Sequence, residues 1–363
     1  TQAFNNEMGS TPAHFSIITT GTQQVLGTED IYPINASIVS AGRVIPLEHH
    51  QISCELIDIN LNETPDAIKN TLIDILNSSL SNKNDAQYST FAYRNGYRWE
   101  PFYSPSHTRA PIDRLTDHGV YLVTGGLGGI GLEICHSIAN IVKTPTFILC
   151  SRSPTAPESD WDAIGANPAH PAHRKIVRLQ KLKELGATIY CLQADIGIYD
   201  EVEDLIKFCK TKLGRINGII HAAGIAGGGL IVLKQKLIAY NVLLPKIHGT
   251  YHLAKATKDL QLDFVVLMSS IASIVGEKGQ VDYCGANACL DAFAHTNLFK
   301  SKFTASINWN TWREVGMSVE VERPKELDLF VRGNDINPLQ GQELFLKALS
   351  CRNSNMIISN YDL

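Results

Sequence analysis

The sequence has no run approaching the roughly 20 apolar residues a membrane-spanning helix needs, so no contact with a membrane is expected. Its first ten residues, TQAFNNEMGS, lack the apolar core of a signal peptide and do not begin with Met, which predicts a cytoplasmic piece cut from a longer chain. No Lys/Arg cluster dominates any segment, and a formal net charge of −4 gives no footprint for a nucleic-acid partner. None of the eight cysteines (54, 135, 150, 191, 209, 284, 289 and 351) forms a CxxC pair, and several sit inside apolar patterns, so buried free thiols in a reducing compartment are expected. His170 and His173 stand three apart in a Pro/Ala stretch with no further ligand cluster near them, so no metal site is expected. No repeat at the short solenoid periods is present.

What is present is an ordinary globular composition, 44% hydrophobic and 19% charged, over 363 residues. That length suits two domains or one large α/β unit. Residues 1–117 carry strand-like runs at 15–20 and 52–59, a short helical stretch at 38–45, helical spacing over 66–80, and strand residues over 88–102 around an Asn95-Gly96 turn. This part has α/β rhythm but no glycine-rich loop. Residues 118–363 repeat strand then helix more strongly, with apolar strands at 120–123, 146–150, 188–192, 218–221, 264–268 and 305–309. Continuous apolar strands separated by helices predict a doubly wound parallel sheet covered on both faces. Residues 154–171 read as a surface loop, and residues 207–212 as a solvated helix face.

The strongest local signal is Thr124-Gly125-Gly126-Leu127-Gly128-Gly129-Ile130-Gly131, which follows a strand and precedes a helical stretch at 132–142. Glycines let the backbone turn tightly and approach a pyrophosphate, and the helix start offers free N–H groups. The strand–loop–helix context points to a dinucleotide. About 20 residues on, where an NAD site places Asp or Glu, stand Ser151 and Arg152. An Arg suits a 2′-phosphate, favouring NADPH, although a solvated Arg at a strand end is the plain alternative. Asp195, followed by Ile196, is read either as a partner of the adenine amino group or as a helix N-cap. Ala222, Ala223 and Gly224 are small enough to let the nicotinamide end lie close to the backbone.

Ser270 ends the fifth strand of this part, Tyr283 follows thirteen residues later, and Asn287 lies four beyond, on the same helix face. Lys246 lies upstream in a helical stretch that begins near Leu237. Carbonyl reduction needs a hydride on carbon and a proton on oxygen. A Tyr phenol can give the proton if a nearby ammonium lowers its pKa. A Ser hydroxyl can stabilise the developing charge on oxygen, and an Asn can position the Lys or a relay water. Each residue has a bland alternative as cap, packed aromatic or solvated charge. Their joint order after a dinucleotide loop makes a site the better reading.

On these residues the second part resembles the short-chain dehydrogenase/reductase superfamily. Within it, the part looks like the ketoreductase domains of modular polyketide synthases or hybrid polyketide–peptide assembly lines. Ordinary members place Lys four residues after the Tyr, whereas here Asn287 stands there and Lys246 lies upstream, the exchange characteristic of the polyketide synthase branch. Residues 269–273, 308–312 and 315–317, and a closing strand at 356–359, match as well. Residues 1–117, with Gly42-Arg43-Val44-Ile45-Pro46, resemble the non-catalytic, Rossmann-like structural subdomain, truncated as if its first strand and helix were missing.

The resemblance implies a smaller structural subdomain over 1–117 and a Rossmann-like catalytic subdomain over 118–363. It implies NADPH-dependent reduction of a β-ketoacyl thioester held on an acyl carrier protein, beside neighbouring synthase domains. It also implies that Trp309, Trp312 and Met317 border the substrate groove, core packing being the alternative for the tryptophans, and that residues 313–334 form a lid. The sequence departs from the pattern where Leu-Asp-Asp would follow the fourth strand, since Ile225-Ala226-Gly227-Gly228-Gly229 stands there, and no Trp shortly precedes Tyr283. The hydroxyl configuration therefore stays open. Reduction of an α-keto acyl group, or a catalytically silent structural domain, are the alternative functions.

Overall fold

A computed structural model describes residues 11–81, 88–106, 110–317 and 335–360. Among them, eleven strands form two sheets. The larger has the order β7-β6-β5-β8-β9-β10-β11 and is parallel throughout. Its strands are β5 (Val120–Thr124), β6 (Thr146–Ser151), β7 (Thr188–Gln193), β8 (Gly218–His221), β9 (Phe264–Ser270), β10 (Thr304–Trp309) and β11 (Asn355–Ile358). The central strands are buried on both faces, which explains why they read as unbroken apolar runs.

Helices cover both faces. Apolar side chains of Gly129–Ala139, His173–Glu184 and Pro338–Ser350 pack with Tyr121, Phe147 and Phe264 on one face. Those of Tyr199–Leu213, Lys236–Ala256 and Val281–Phe293 pack with Leu122, Ile148 and Val265 on the other. The chain winds outward from β5 to β7, then returns to lay β8 on the other side of β5. Strand order therefore reverses at β5/β8, and the crevice at the carboxyl ends of those strands is where such sheets hold ligands.

The smaller sheet has the order β1-β2-β3-β4. Here β1 (Ala13–Thr20), β2 (Ile52–Ile59) and β3 (Tyr88–Arg94) are parallel, and β4 (Tyr97–Trp99) returns antiparallel to β3. The connecting turn has Asn95 at φ 54° and Gly96 at φ 76°. Both are left-handed, as the tight hairpin turn expected from Asn-Gly requires. Helices α1 (Ala36–Glu48) and α2 (Pro65–Ser81) link the parallel strands. Numbering continues as α3 (Gly129–Ala139), α4 (Trp161–Gly165), α5 (His173–Glu184), α6 (Tyr199–Leu213), α7 (Lys236–Ala256), α8 (Ala272–Val275), α9 (Val281–Phe293) and α10 (Pro338–Ser350).

Helix α1 joins the two sheets. A Cβ on Gly42 would lie 2.3 Å from Leu56 Cδ2 on β2, and one on Gly285 of α9 would lie 3.0 Å from both Ser37 O and Ser40 Oγ of α1. Only glycine lets α1 sit this close to both neighbours. Ser40 Oγ donates to Val281 O at 3.0 Å, and the Arg43 guanidinium donates to Ser273 O.

Residues 154–171 are not a plain surface loop. They contain a 3-10 turn (Glu158–Asp160) and α4, and Trp161 is only 5% exposed. Its indole N–H donates to Ala156 O at 3.0 Å while its ring joins Ile176 and Leu179 in the core. A lone Trp among Pro and Ala carries no periodicity, so its anchoring role was invisible in the pattern. In α6 the faces divide: Lys207, Lys210 and Lys212 are exposed while Cys209 is buried.

At the ends of β2 and β3, Arg94 donates from Nη2 to Asp58 at 2.6 Å and from Nε to Glu29 at 3.0 Å. Further donations reach the carbonyls of Asp58, Tyr93 and Gln23, and all three charged side chains are nearly inaccessible. Removing one partner of such a cluster leaves buried charge without compensation. Arg94→Met is therefore expected to destabilise the chain by about 3–5 kcal/mol. Chemical denaturation of the variant against the wild type measures this.

Candidate active site

The glycine loop lies across the crevice between β5 and β8. Gly125 has φ +66°, and a Cβ there would come 2.8 Å from the Ala222 carbonyl and the Ala223 nitrogen. A Cβ on Gly131 would lie 2.8 Å from Gly125 O. Gly128 is the N-cap of α3 and offers no side-chain cap. The loop thus forms a cradle that a side chain would fill, beside a helix start whose amide groups suit a pyrophosphate. Thr124 Oγ1 and His221 Nδ1 are 2.6 Å apart and buried, tying the ends of β5 and β8 together. Burial and the nearby Lys246 push His221 down to about 3, which keeps it neutral. The Leu127 side chain belongs to the core, so its contribution to a ligand could come only from its backbone, whereas Ile130 lines the cavity described below.

One strand over, Ser151 Oγ donates to Ser153 O at 2.6 Å, and Arg152 is exposed at the end of β6. Asp195 does not cap α6, whose N-cap is Ile198. Instead its Oδ1 accepts from Gly197 N at 2.8 Å, and its own amide donates to the Glu201 carboxylate at 2.7 Å. Ile196 is buried against Gly249 of α7. Ala222, Ala223 and Gly224 continue from β8 past the glycine loop, and a Cβ on Gly224 would lie 3.0 Å from Lys246 Cε.

Lys246, Ser270, Tyr283 and Asn287 arrive from three elements. Lys246 projects from α7 and is 3% exposed, its ammonium donating to Met268 O at 2.8 Å. Burial lowers its pKa to about 8, against a raising effect from Asp291. Ser270 ends β9, and its Oγ accepts from Ala272 N at 3.2 Å. Tyr283 and Asn287 lie one turn apart on α9, where Asn287 Nδ2 donates to Tyr283 O at 2.8 Å. The Asn287 Oδ1 is buried and accepts nothing among the described residues.

The Tyr283 phenol lies above its usual range. Burial raises it, hydrogen bonding with Ser270 and Asn287 opposes this, and Glu277 adds to the rise. Acidification by Lys246, expected from sequence, is not among these influences. The ammonium is turned to the Met268 carbonyl.

Ser270, Tyr283, Lys246, Trp309, Trp312 and Met317 all border one cavity of about 390 Å³. The tryptophan rings meet edge to face at 5.0 Å and are buried. They are core residues and cavity wall at once. Met317 ends the described segment, and most of the expected lid, residues 318–334, lies outside the described residues.

Sequence reading missed Asp291. Its carboxyl accepts from Ser273 Oγ and Ser306 Oγ, both at 2.6 Å, and from Asn308 Nδ2 at 2.7 Å. Asn308 also donates to Ser270 O at 3.3 Å, so this buried group holds the strand end that carries Ser270. The available signal was an acid four residues after Asn287, within the otherwise apolar run 288–293 of Ala, Cys, Leu and Phe.

Among the described residues, no group of three His, Cys, Asp or Glu could hold a metal ion, and no helix is long and apolar enough to cross a membrane. His170 is exposed, its Nδ1 accepting from Ala172 N at 3.1 Å. All eight cysteines are free and six are buried, with burial pushing Cys150, Cys284 and Cys289 up to about 12.

A lysine with its folded pKa near 8 and an unfolded value near 10.5 binds fewer protons in the folded state between those pH values. Its contribution to stability is therefore greatest above pH 10.5 and is lost as pH falls toward 8. The difference in unfolding free energy between wild type and Lys246→Met should move in the wild type's favour across this window and stay flat from pH 6 to 8, roughly speaking. Denaturation at a series of pH values checks the sign.

Comparison with known proteins places this architecture. A family model described as KR domain matches residues 119–314. Polyketide synthase PksN of Bacillus subtilis (strain 168) is 32% identical over 290 residues, covering 77% of this chain and 5% of that protein. The 6-methylsalicylic acid synthase of Aspergillus niger is 33% identical over 243 residues, covering 66% of this chain and 13% of that protein. The chain thus spans a small fraction of the length of these relatives. Among solved structures, a ketoreductase domain from the bacillaene assembly line matches with a TM-score of 0.77 at 24% identity, covering 99% of this chain and 80% of that one. A multidomain structure of a keto acid-selecting NRPS module matches at 0.82 and 21% identity, covering 99% of this chain and 29% of that one. At these identities the structural likeness shows the fold, while the family match rests on sequence. With the reversal at β5/β8, the glycine cradle and the KR match over the strands that build them, the chain belongs to the ketoreductase domains of polyketide synthase assembly lines.

Proposed function

We propose that this ketoreductase uses NADPH to reduce the β-keto group of an acyl thioester carried on a phosphopantetheine arm of an acyl carrier protein. The observation that carries the reading is the meeting of Lys246, Ser270 and Tyr283 on one cavity beside the glycine cradle. Residues 1–117 act as the structural subdomain and residues 118–363 as the catalytic one. The setting is a cytoplasmic multidomain synthase whose neighbouring domains supply the carrier.

The cradle of Gly125, Gly128 and Gly131 fits a pyrophosphate, with Thr124, Leu127, Gly129 and Ile130 completing the loop. Arg152, exposed beside Ser151, would meet a 2′-phosphate. Asp195 and Ile196 would border the adenine, and Ala222, Ala223 and Gly224 would flank the nicotinamide. Bound there, NADPH supplies hydride to the carbonyl carbon.

Tyr283 gives the proton to the carbonyl oxygen. Its raised pKa keeps that proton in place at neutral pH until charge develops on the substrate. The Ser270 hydroxyl donates to the same oxygen, stabilising it as the carbon–oxygen double bond is lost. To offset the negative charge left on the phenol, Lys246 must turn its ammonium from Met268 O toward Tyr283, and the Oδ1 of Asn287, unpaired among the described residues, is an acceptor for a water that returns the proton. Trp309, Trp312 and Met317 line the way for the acyl chain.

Tyr283→Phe should lower NADPH oxidation with a β-ketoacyl substrate by about 10²–10⁴-fold while leaving cofactor binding intact. Spectrophotometric turnover and cofactor titration test the two halves. Equal turnover of free and carrier-bound thioesters would defeat the carrier assignment, and a preference for α-ketoacyl substrates would defeat the β-keto one. Arg152→Ala should weaken NADPH binding by about ten- to hundred-fold and leave NADH binding unchanged.

A further inference from the structure

Two glycine-bearing loops build one wall of the cavity. Ala226 and Gly227 come from the segment after β8, and Gly276, Glu277 and Gln280 from the segment before Tyr283. Gly228, Gly229, Gly276 and Gly279 have φ of 154°, 92°, 74° and 79°. Chain of this kind has much conformational freedom to lose, so a fixed wall needs bonds that hold it.

Those bonds come from two charged side chains, neither of which lines the cavity. Glu48, the last residue of α1, accepts from Ile231 N at 2.6 Å with one carboxylate oxygen and from Gly279 N at 2.9 Å with the other. Lys234 donates to Gly228 O at 2.6 Å, to Gly279 O at 3.3 Å, and to both Asp282 oxygens at 2.9 and 3.0 Å. The Lys234 and Asp282 side chains are 8% and 1% exposed, so this pair is shielded from competing water. Gly279 is thus gripped through both its N–H and its carbonyl, by Glu48 on one side and Lys234 on the other. Asp282 Oδ1 also accepts from Tyr283 N at 3.0 Å, which couples the same cluster to the helical turn carrying the phenol. The loops meet with no spare room: a Cβ on Gly227 would lie 2.4 Å from Gln280 Oε1 and 3.0 Å from Tyr283 Cβ.

We infer that Glu48 and Lys234 are positioning residues that join the two loops into a single groove wall and so set the orientation in which the acyl chain presents its ketone. Glu48 brings this control from the part of the chain that holds none of the expected catalytic residues. The inference rests on the reductase reading above. It gives the glycine-rich segment 225–229 a role: backbone amides and carbonyls held by distant charges shape the groove where side chains are missing.

Glu48→Gln keeps size and helix but turns one acceptor oxygen into a donor. Hydrogen exchange followed by mass spectrometry should show faster exchange in the peptides containing Ile231 and Gly279, with both sheets unchanged. With a carrier-bound ketoacyl substrate, KM should rise about tenfold with kcat within about threefold, because only the ordered wall binds productively. Chiral analysis should show an eroded ratio of hydroxyl enantiomers. Lys234→Met combined with Asp282→Asn, which strands no buried charge, should act in the same direction. Unchanged exchange would overturn the clamp. Faster exchange with wild-type KM and enantiomer ratio would overturn its role in positioning. A wild-type protein that reduces no ketoacyl substrate would sink the reductase reading and the claim on orientation with it, while exchange would still decide whether Glu48 holds the loops.

Discussion

A buried ammonium constrains this architecture more than any other single group. Lys246 has almost no contact with solvent, and the hydration it loses is replaced by one carbonyl, Met268 O, and by the field of Asp291. A charge in that position is tolerable only if α7, the end of β9 and α9 all converge on it. The same convergence brings Ser270 and Tyr283 to one cavity. The neighbouring His221 stays neutral, held down by burial and by the Lys246 charge, so no second positive charge sits beside the ammonium.

Asp291 extends this logic into the sheet. Its hydrogen bonds with Ser273, Ser306 and Asn308 reach α8 and β10, and the amide of Asn308 in turn donates to the end of β9. Arg43 also feels its charge, from α1. One buried carboxyl group therefore acts on two buried cations, Lys246 and Arg43. The surrounding Ser and Asn donors are arranged around that group, and the strand end carrying Ser270 is fixed as a consequence.

The smaller sheet is tied to the larger by comparable means. Helix α1 approaches both β2 and α9 at glycines, with Arg43 reaching α8 and Glu48 the segments beside the cavity. The smaller sheet is stabilised separately by the Arg94–Asp58–Glu29 cluster at its carboxyl edge. The same edge borders a cavity of about 300 Å³, lined by Thr20, Glu29, Ile59, Asn60 and Arg94.

Much of this was legible in the chain. Apolar runs marked six of the seven strands of the larger sheet to within a residue or two, because strands buried on both faces must be apolar throughout. The closing strand came from family resemblance. The glycine loop was legible because positive φ and close backbone approach exclude other residues, as at Gly125. Helical periodicity put Tyr283 and Asn287 on one face, Lys246 and Ser270 were grouped with them by order and resemblance, and the structure brings Lys246, Ser270 and Tyr283 to one cavity. Contacts across long sequence separations could not be read in this way. Trp161 under its loop, Asp291 behind Ser270, the upward shift of the Tyr283 phenol and the grip of Glu48 on Gly279 all depend on which surfaces the packed helices bring within hydrogen-bond reach. Local pattern encodes what a segment must be to bury one face. Burial depth and partner identity, which set charge and pKa, exist only once distant segments meet.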